Sequence, residues 1–437
     1  MSTSYRLRVA EYLDQVCLPV KAKEMHPEIK LEIEAHLEAI IEDLLAEGLS
    51  EEAAVEQAIV QMGDPDKLGV QFHNVHKPQT DWNLLVLVGL LLGTGMVAMF
   101  AMRKAVTTIA VHFVENTLFY GVLGLLVMAA IYFWDYRKLN RWSLILYIAT
   151  ASGLLLTKRF GLQVDGIETW IRVATMTINV SMVSLYAFIL AIAGMMKPAL
   201  GNHVSLLKRI VVYIIELFLY VLIPAWIYLT VSHISMLVLY MIGLSVLLLF
   251  SRKWKTWLSY ITVMTAFGSV LVLLDDKFSY TVERILRQFN SVDSNYIAAR
   301  SMEAIRSAGL IGNGFGVSMD QIPFYYSNMM FTYLIYSLGW ITGMLVVSLI
   351  AALMVRVWIV TRVVADPYGR NVIAGLFGII AAQYVVSMLM TAGLMPIMDI
   401  TMPMISYGGF NLVLNLVVIG FILSVYRRKN MIPSVIY

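Results

Sequence analysis

Residues 82–102 read WNLLVLVGLLLGTGMVAMFAM, a run with no charged side chain. A helix needs about 20 apolar residues to cross a hydrocarbon core roughly 30 Å thick, and this run has that length. Further apolar segments centre on 119–134, 142–157, 180–196, 210–229, 233–250, 257–275, 328–353, 371–391 and 407–426. In lipid only helices and closed barrels satisfy every backbone group, and these runs are too long for barrel strands. The expected fold class is therefore all-α, a polytopic membrane helical bundle of about ten transmembrane helices. Composition agrees: 59% of the 437 residues are hydrophobic and 14% charged, against about 25% charged in soluble domains.

Upstream of Trp82 the pattern changes. Residues 1–78 are polar, and Ile29, Ile33, Leu37, Ile40 and Leu44 recur at helical spacing among Glu28, Lys30, Glu32, Glu34, Glu38 and Glu42. Gly48 ends that helix. Ser50 is placed to cap a second one, with Glu51 and Glu52 where the helix dipole favours anions, and Gly63-Asp64-Pro65 stops it. The reading is a small soluble helical domain, 1–78, ahead of a membrane domain, 79–437. The prefix resembles the helical domain that precedes some Bacillus-type permeases and membrane regulators; a solubilising or partner-docking appendage is the plainer account. With no apolar leader in this stretch, insertion is expected to begin at an internal span.

The net charge of +3 gives no reason to expect a nucleic-acid partner, and its distribution is more informative. With the prefix in the cytoplasm, inner connectors hold Arg137, Lys138, Arg141, Lys197, Lys208, Arg209, Arg252, Lys253, Lys255, Arg356, Arg362, Arg370, Arg427, Arg428 and Lys429. The outer side carries Arg103, Lys104, Lys158 and Arg159 and a long mixed-charge loop, so both termini are expected on the cytoplasmic side. A single cysteine, Cys17, excludes an intrachain disulfide, and the close pair His73 and His76 lies in a polar connector without nearby carboxylates. The outer loop, 276–327, is long enough to suggest a task. It contains helical stretches at Tyr280–Phe289 and Ser294–Ser307, then the glycine-rich turn Gly309–Gly316.

The segment Gly393–Gly409 holds Gly393, Pro396, Pro403, Ile405, Ser406, Tyr407, Gly408 and Gly409 in one ungapped array. This G-x-x-P, six residues, P-x-I-S-Y-G-G spacing is similar to the signature of the SEDS family of RodA, FtsW and SpoVE type. Its prolines and glycines break the helix and allow a re-entrant turn. Tyr296, Ser301, Gly312, Gly314, Gly316, Pro323 and the Leu338-Gly339 pair keep the family register. Asp293 falls where the family's proposed catalytic aspartate sits, with about three residues missing before Tyr296. Departures are equally visible. Thr169 stands in the family's N-G-x-x-R-W-I arginine position, Met182 in the acidic position of Q-P-S-E, and Ser232-His233-Ile234-Ser235-Met236 in that of P-D-L-G-T. Asn328, Tyr336 and Ser337 replace further acids, and Arg172 is a nearby cation for the one lost at 169.

The resemblance implies a peptidoglycan glycosyltransferase polymerising lipid II, the undecaprenyl-pyrophosphate-linked disaccharide-peptide, beside a class B penicillin-binding transpeptidase. It would serve cell shape, division or sporulation. Asp293 is then the candidate general base. Arg284, Arg287 and Arg300 are candidates for the pyrophosphate, which planar guanidinium groups grip well. Tyr296, Ser301, Ser406, Tyr407, Gly408 and Gly409 complete the candidate substrate site, and a divalent cation is a further means of stabilising the leaving group. Two other readings stand beside this one: a lipid-linked precursor flippase, and a non-catalytic scaffold that uses the prefix. Glu216, in the middle of an apolar run, has to be neutral, paired or in a wet cavity, with burial against a partner helix expected; His233 is expected to cap an interfacial end.

Overall fold

The computed structural model describes residues 3–106, 111–164, 167–173, 176–196, 205–231, 233–274, 295–319, 322, 325–395 and 397–431. These form two compact units, one of Met1–Thr80 with Tyr426–Tyr437, the other Asp81–Val425.

The first unit has helices α1 (Thr3–Cys17), α2 (His26–Ala46), α3 (Glu51–Met62) and α4 (Pro65–His76). Its core is a stripe on α2 of Ile29, Ile33, Leu37, Ile41 and Leu44, packed with Val9, Leu13, Val16, Val55 and Ala58. Ile41 takes the core position expected of Ile40, which is only partly buried, because the i, i+4 repeat holds through position 41. Ser50 accepts from the Ala53 amide as the cap of α3, and Asp64 accepts from Asp66 ahead of Pro65. Met431 is 4% exposed and belongs to this core, so the C-terminal segment is part of the first unit rather than the membrane part.

In the second unit each expected span is a helix: α5 (Trp82–Ala105), α6 (Phe113–Phe133), α8 (Ser143–Phe160), α9 (Val180–Met195), α10–α11 (Leu206–Leu217 and Ile223–Thr230), α12 (Ile234–Phe250), α13 (Trp254–Leu274), α15 (Met330–Val363), α16 (Pro367–Thr391) and α17 (Phe410–Arg427). A short α7 (Arg137–Arg141) precedes α8, and α14 (Asn295–Ser307) precedes α15. Among the described residues six helices are long and apolar enough to cross a membrane, and α9 and α12 are shorter apolar helices. The chain is a helical membrane protein.

Small residues set a close helix crossing. A Cβ on Gly378 would lie 3.1 Å from the Gly243 Cα, and one on Gly243 would lie 2.7 Å from Ile379 Cγ1, so α12 and α16 meet almost backbone to backbone. Between α10 and α11 the chain winds as a π-turn, Phe218–Leu222. Pro224 explains it: the ring has no N–H and crowds the carbonyl one turn back, at Tyr220. The two carbonyls at this break are capped from neighbouring helices, by Tyr147 Oη on Leu219 O (2.6 Å) and by Tyr240 Oη on Tyr220 O.

The connector between α8 and α9 is a three-stranded antiparallel meander, β1 (Leu162–Val164), β2 (Ile167–Val173) and β3 (Met176–Asn179), where no strand was expected. Trp170 pairs with Asn179, and Arg172 with Thr177.

Charge sits where partners exist. Asp81, at the start of α5, is fully buried; it accepts from the Leu84 amide and receives Arg356 Nε on both oxygens at 3.0 and 2.9 Å. Glu216 is ion-paired with Lys253, which resolves the expectation in favour of a paired carboxylate.

Candidate functional site

The signature array ends α16 and precedes α17, so it lies at the bundle end where α5 finishes. It does not stay at the surface. Gly95 of α5 packs against Met404 and Ile405 so closely that any side chain at 95 would collide with the Met404 carbonyl. Gly95 is ten residues before Ala105, which puts the turn about 15 Å below the end of the helix at 1.5 Å per residue. Tyr384 donates to Pro403 O at 3.0 Å from the side of α16. The turn is therefore re-entrant, as the Pro/Gly pattern predicts. Met404 has φ 62°, a left-handed conformation rare outside glycine.

Within the turn Ser406 Oγ accepts from the Met402 amide at 3.1 Å. Tyr407 is held on three sides: its amide donates to Tyr326 O (3.1 Å), its hydroxyl accepts from Asn116 Nδ2 (3.0 Å), and its ring meets Phe113 edge-on at 5.0 Å. Gly408 O accepts from the Asn411 amide, opening α17, and Gly409, at φ 41°, lies against the Tyr120 ring. Asn116 and Tyr120 have no motif to announce them; only the fold brings α6 to the turn.

The glycine-rich turn is a second built element. It inserts into a kink of α15, whose Gly339 has φ 85° and ψ 174° and divides the element in two. Asn313 and Gly314 amides donate to Tyr336 O and Ser337 O, while the Trp340 and Ile341 amides donate to Gly309 O and Leu310 O. Ser337 Oγ closes the joint on Gly314 O at 2.8 Å. A Cβ on Gly312 would lie 2.5 Å from Gly339 N, so the two glycines interlock. Gly316 is crossed by the stem of Lys104, whose Cβ, Cγ and Cδ lie 2.7–2.8 Å from where a side chain would begin. The span expected at 328–353 is thus interrupted at Gly339 and continues to Val363.

Helix α14 hangs over this end. Ser301 is fully buried; its hydroxyl pairs with Thr332 Oγ1 (2.8 Å) and reaches Thr391 O (3.1 Å), tying α14 to α15 and α16. Arg300 pairs with Glu303 at 2.7 Å. Tyr296 lies in the first turn of α14. Asp293, Arg284, Arg287 and the expected helix Tyr280–Phe289 lie outside the described residues.

Three of the departing stretches, those holding Thr169, Ser181 and His233, meet in one place. Ser181 Oγ contacts His233 Nδ1 (2.7 Å), Asn179 Oδ1 (2.5 Å) and Thr169 Oγ1 (3.4 Å), and all four residues are buried. Against the expectation, the His233 side chain makes no cap bond to the helix; it turns to Ser181, is 1% exposed, and burial pushes its imidazole down to about 4, leaving it neutral near pH 7. Neutral hydrogen bonds thus occupy ground between β2, α9 and α12. Among the described residues no group of acids, histidines and cysteines is arranged to hold a metal ion.

Comparison with known proteins agrees with this architecture. The family model described as "Cell cycle protein" (FtsW/RodA/SpoVE) matches residues 80–431, leaving the prefix outside the match. Stage V sporulation protein E of Bacillus subtilis is 25% identical over 371 residues, covering 81% of this chain and 99% of that protein. A probable peptidoglycan glycosyltransferase FtsW of Thiomicrospira cyclica is 25% identical over 373 residues, covering 81% and 93%. A solved chain from a study of a peptidoglycan synthase complex that coordinates polymerization and crosslinking superposes with a TM-score of 0.66 at 19% identity, covering 80% of this chain and 98% of that one. The match over the whole membrane unit decides the matter: this chain belongs to the FtsW/RodA/SpoVE family.

Proposed function

We propose that the protein is a peptidoglycan glycosyltransferase that polymerises lipid II at the membrane end carrying the signature turn. The observation that carries the reading is the depth of that turn: Pro403–Tyr407 descends beside Gly95, carrying backbone polar groups and the Ser406 hydroxyl below the end of α5, the level at which a prenyl-linked sugar would enter sideways from lipid. Relatives of similar length bear the names of peptidoglycan glycosyltransferases, which supports the same chemistry here.

In the proposed reaction Asp293 takes the proton of the acceptor sugar hydroxyl. The freed oxygen bonds to the donor's anomeric carbon as the bond to the lipid pyrophosphate breaks, and the electron pair leaves with the pyrophosphate. Arg284, Arg287 and Arg300 would receive that charge, Arg300 by leaving Glu303. Tyr296, Ser406, Tyr407, Gly408 and Gly409 would line the sugar path, with Ser301 holding α14 in position. A divalent cation would supply further charge stabilisation at the pyrophosphate. The partner would be a class B penicillin-binding transpeptidase in a bacterial plasma membrane, with the 1–78 prefix and both termini in the cytoplasm.

Purified protein given fluorescent lipid II should yield glycan ladders on a gel. Translocation of labelled lipid II in vesicles without polymer would favour a flippase instead, and neither activity in the presence of the transpeptidase would favour a scaffold.

A further inference from the structure

We propose that one face of α16, from Gln383 through Ser387 to Thr391, is a solvent track that holds a file of water inside the membrane unit. The three residues stand at i, i+4 and i+8, so they form one stripe about 12 Å long. They are 0%, 1% and 2% exposed, and each has a buried polar atom with no partner among the described residues: Gln383 Nε2, Ser387 Oγ and Thr391 Oγ1.

The hydroxyls are the telling case. A serine or threonine inside a helix ordinarily returns its proton to the carbonyl four residues back. This chain does so repeatedly, at Thr150 on Leu146 O (2.6 Å), Ser245 on Met241 O (2.8 Å), Ser348 on Met344 O (2.8 Å) and Thr361 on Val357 O (2.8 Å). Ser387 and Thr391 do not, and they are the two unpartnered buried serine or threonine hydroxyls among the described residues. Gln383 adds a second sign. Tyr186 Oη lies 3.3 Å from Gln383 Oε1 and 3.2 Å from Asn415 Oδ1, so one phenolic proton is shared between two amide oxygens. Left dry, each such group keeps its full desolvation penalty, and three in line would oppose the packing of the helix that carries them. Buried water, making about three hydrogen bonds apiece, is the general remedy. The track starts under α14, where Ser301 reaches Thr391 O, and ends at the Tyr186–Gln383–Asn415 cluster. It stands whether or not the chain transfers sugars.

The test uses single substitutions in otherwise intact protein in detergent micelles. Cys17 is buried, so the parent serves as the blank for thiol labelling. Thr391→Cys and Ser387→Cys should react with a small charged methanethiosulfonate roughly tenfold faster than Val385→Cys, because a thiol needs water to ionise. Val385, on the same helix, is 54% exposed and faces lipid or detergent. A rate for Ser387→Cys no greater than that of Val385→Cys overturns the proposal. Melting of Ser387→Ala and Thr391→Val gives a second reading: an equal or lower Tm is expected, and a raised Tm, the mark of deleting a dry unpaired hydroxyl, overturns it.

Discussion

The two ends of the membrane unit solve the same problem in opposite ways. At the end where α5 begins, charges close on each other, Asp81 with Arg356 and Glu216 with Lys253, and the Tyr136 hydroxyl donates to Asp366 at 2.7 Å. At the signature end the chain uses interlocked glycines, a left-handed Met404, a neutral Ser181–His233 cluster and polar groups on α16 with no partner among the described residues. Closed ion pairs fix helices against one another, and losing one partner strands a buried charge. Close-approaching backbone and unpartnered polar groups add little to stability and suit a surface that must receive water and ligand. The contrast fits the proposed function, with rigidity at one end and exchange at the other.

Substitutions sharpen this contrast. Asp81→Asn should be the most damaging to stability, by about 3–5 kcal/mol, because Arg356 loses a bidentate carboxylate in a buried setting; a small Tm change in detergent would mean that this end is not held by its ion pairs. Gly312→Ala should cost about 1–3 kcal/mol by forcing a methyl into the Gly339 kink at a positive φ, read as a lower Tm together with loss of whatever activity the loop supports. Ser337→Ala removes one bond to Gly314 O and should cost about 1 kcal/mol. The smallest effect is on pH dependence. His233 folds with its pKa pushed down to about 4, so below the unfolded value near 6.5 the unfolded chain binds more protons. Stability from this residue is present above that value and is lost as pH falls from about 6.5 towards 4. His233→Gln should flatten the Tm profile in that window relative to the parent; a parallel profile would show that His233 contributes nothing to it.

Hydropathy made the membrane helices legible, because a bilayer demands long apolar runs whatever their partners. The re-entrant turn was legible for a similar reason, since Pro403, Gly408 and Gly409 cannot continue a helix in lipid without another use for the backbone. What escaped depends on meetings between elements. The meander of 162–179 consists of strands three to seven residues long in a connector, and its signals, Asp165-Gly166 and the alternation after it, are short. Glu216 reads as an isolated acid until the turn after α12 brings Lys253 to it, and Asn116 is an ordinary polar residue until α6 meets Tyr407. Pro224 announces a disturbance in its helix, but not that Tyr147 and Tyr240 would cap the freed carbonyls. Ser301 keeps the family register in the sequence, but only the fold shows it bonded to Thr332 and to the Thr391 carbonyl.

The central claim, that the signature end performs glycosyl transfer with a carboxylate at 293 as base, is tested most directly by comparing purified Asp293→Ala with the parent on lipid II. Loss of glycan polymer with unchanged Tm and unchanged labelling of a Thr391→Cys background is the result this account predicts. Polymer yield equal to the parent's would contradict it.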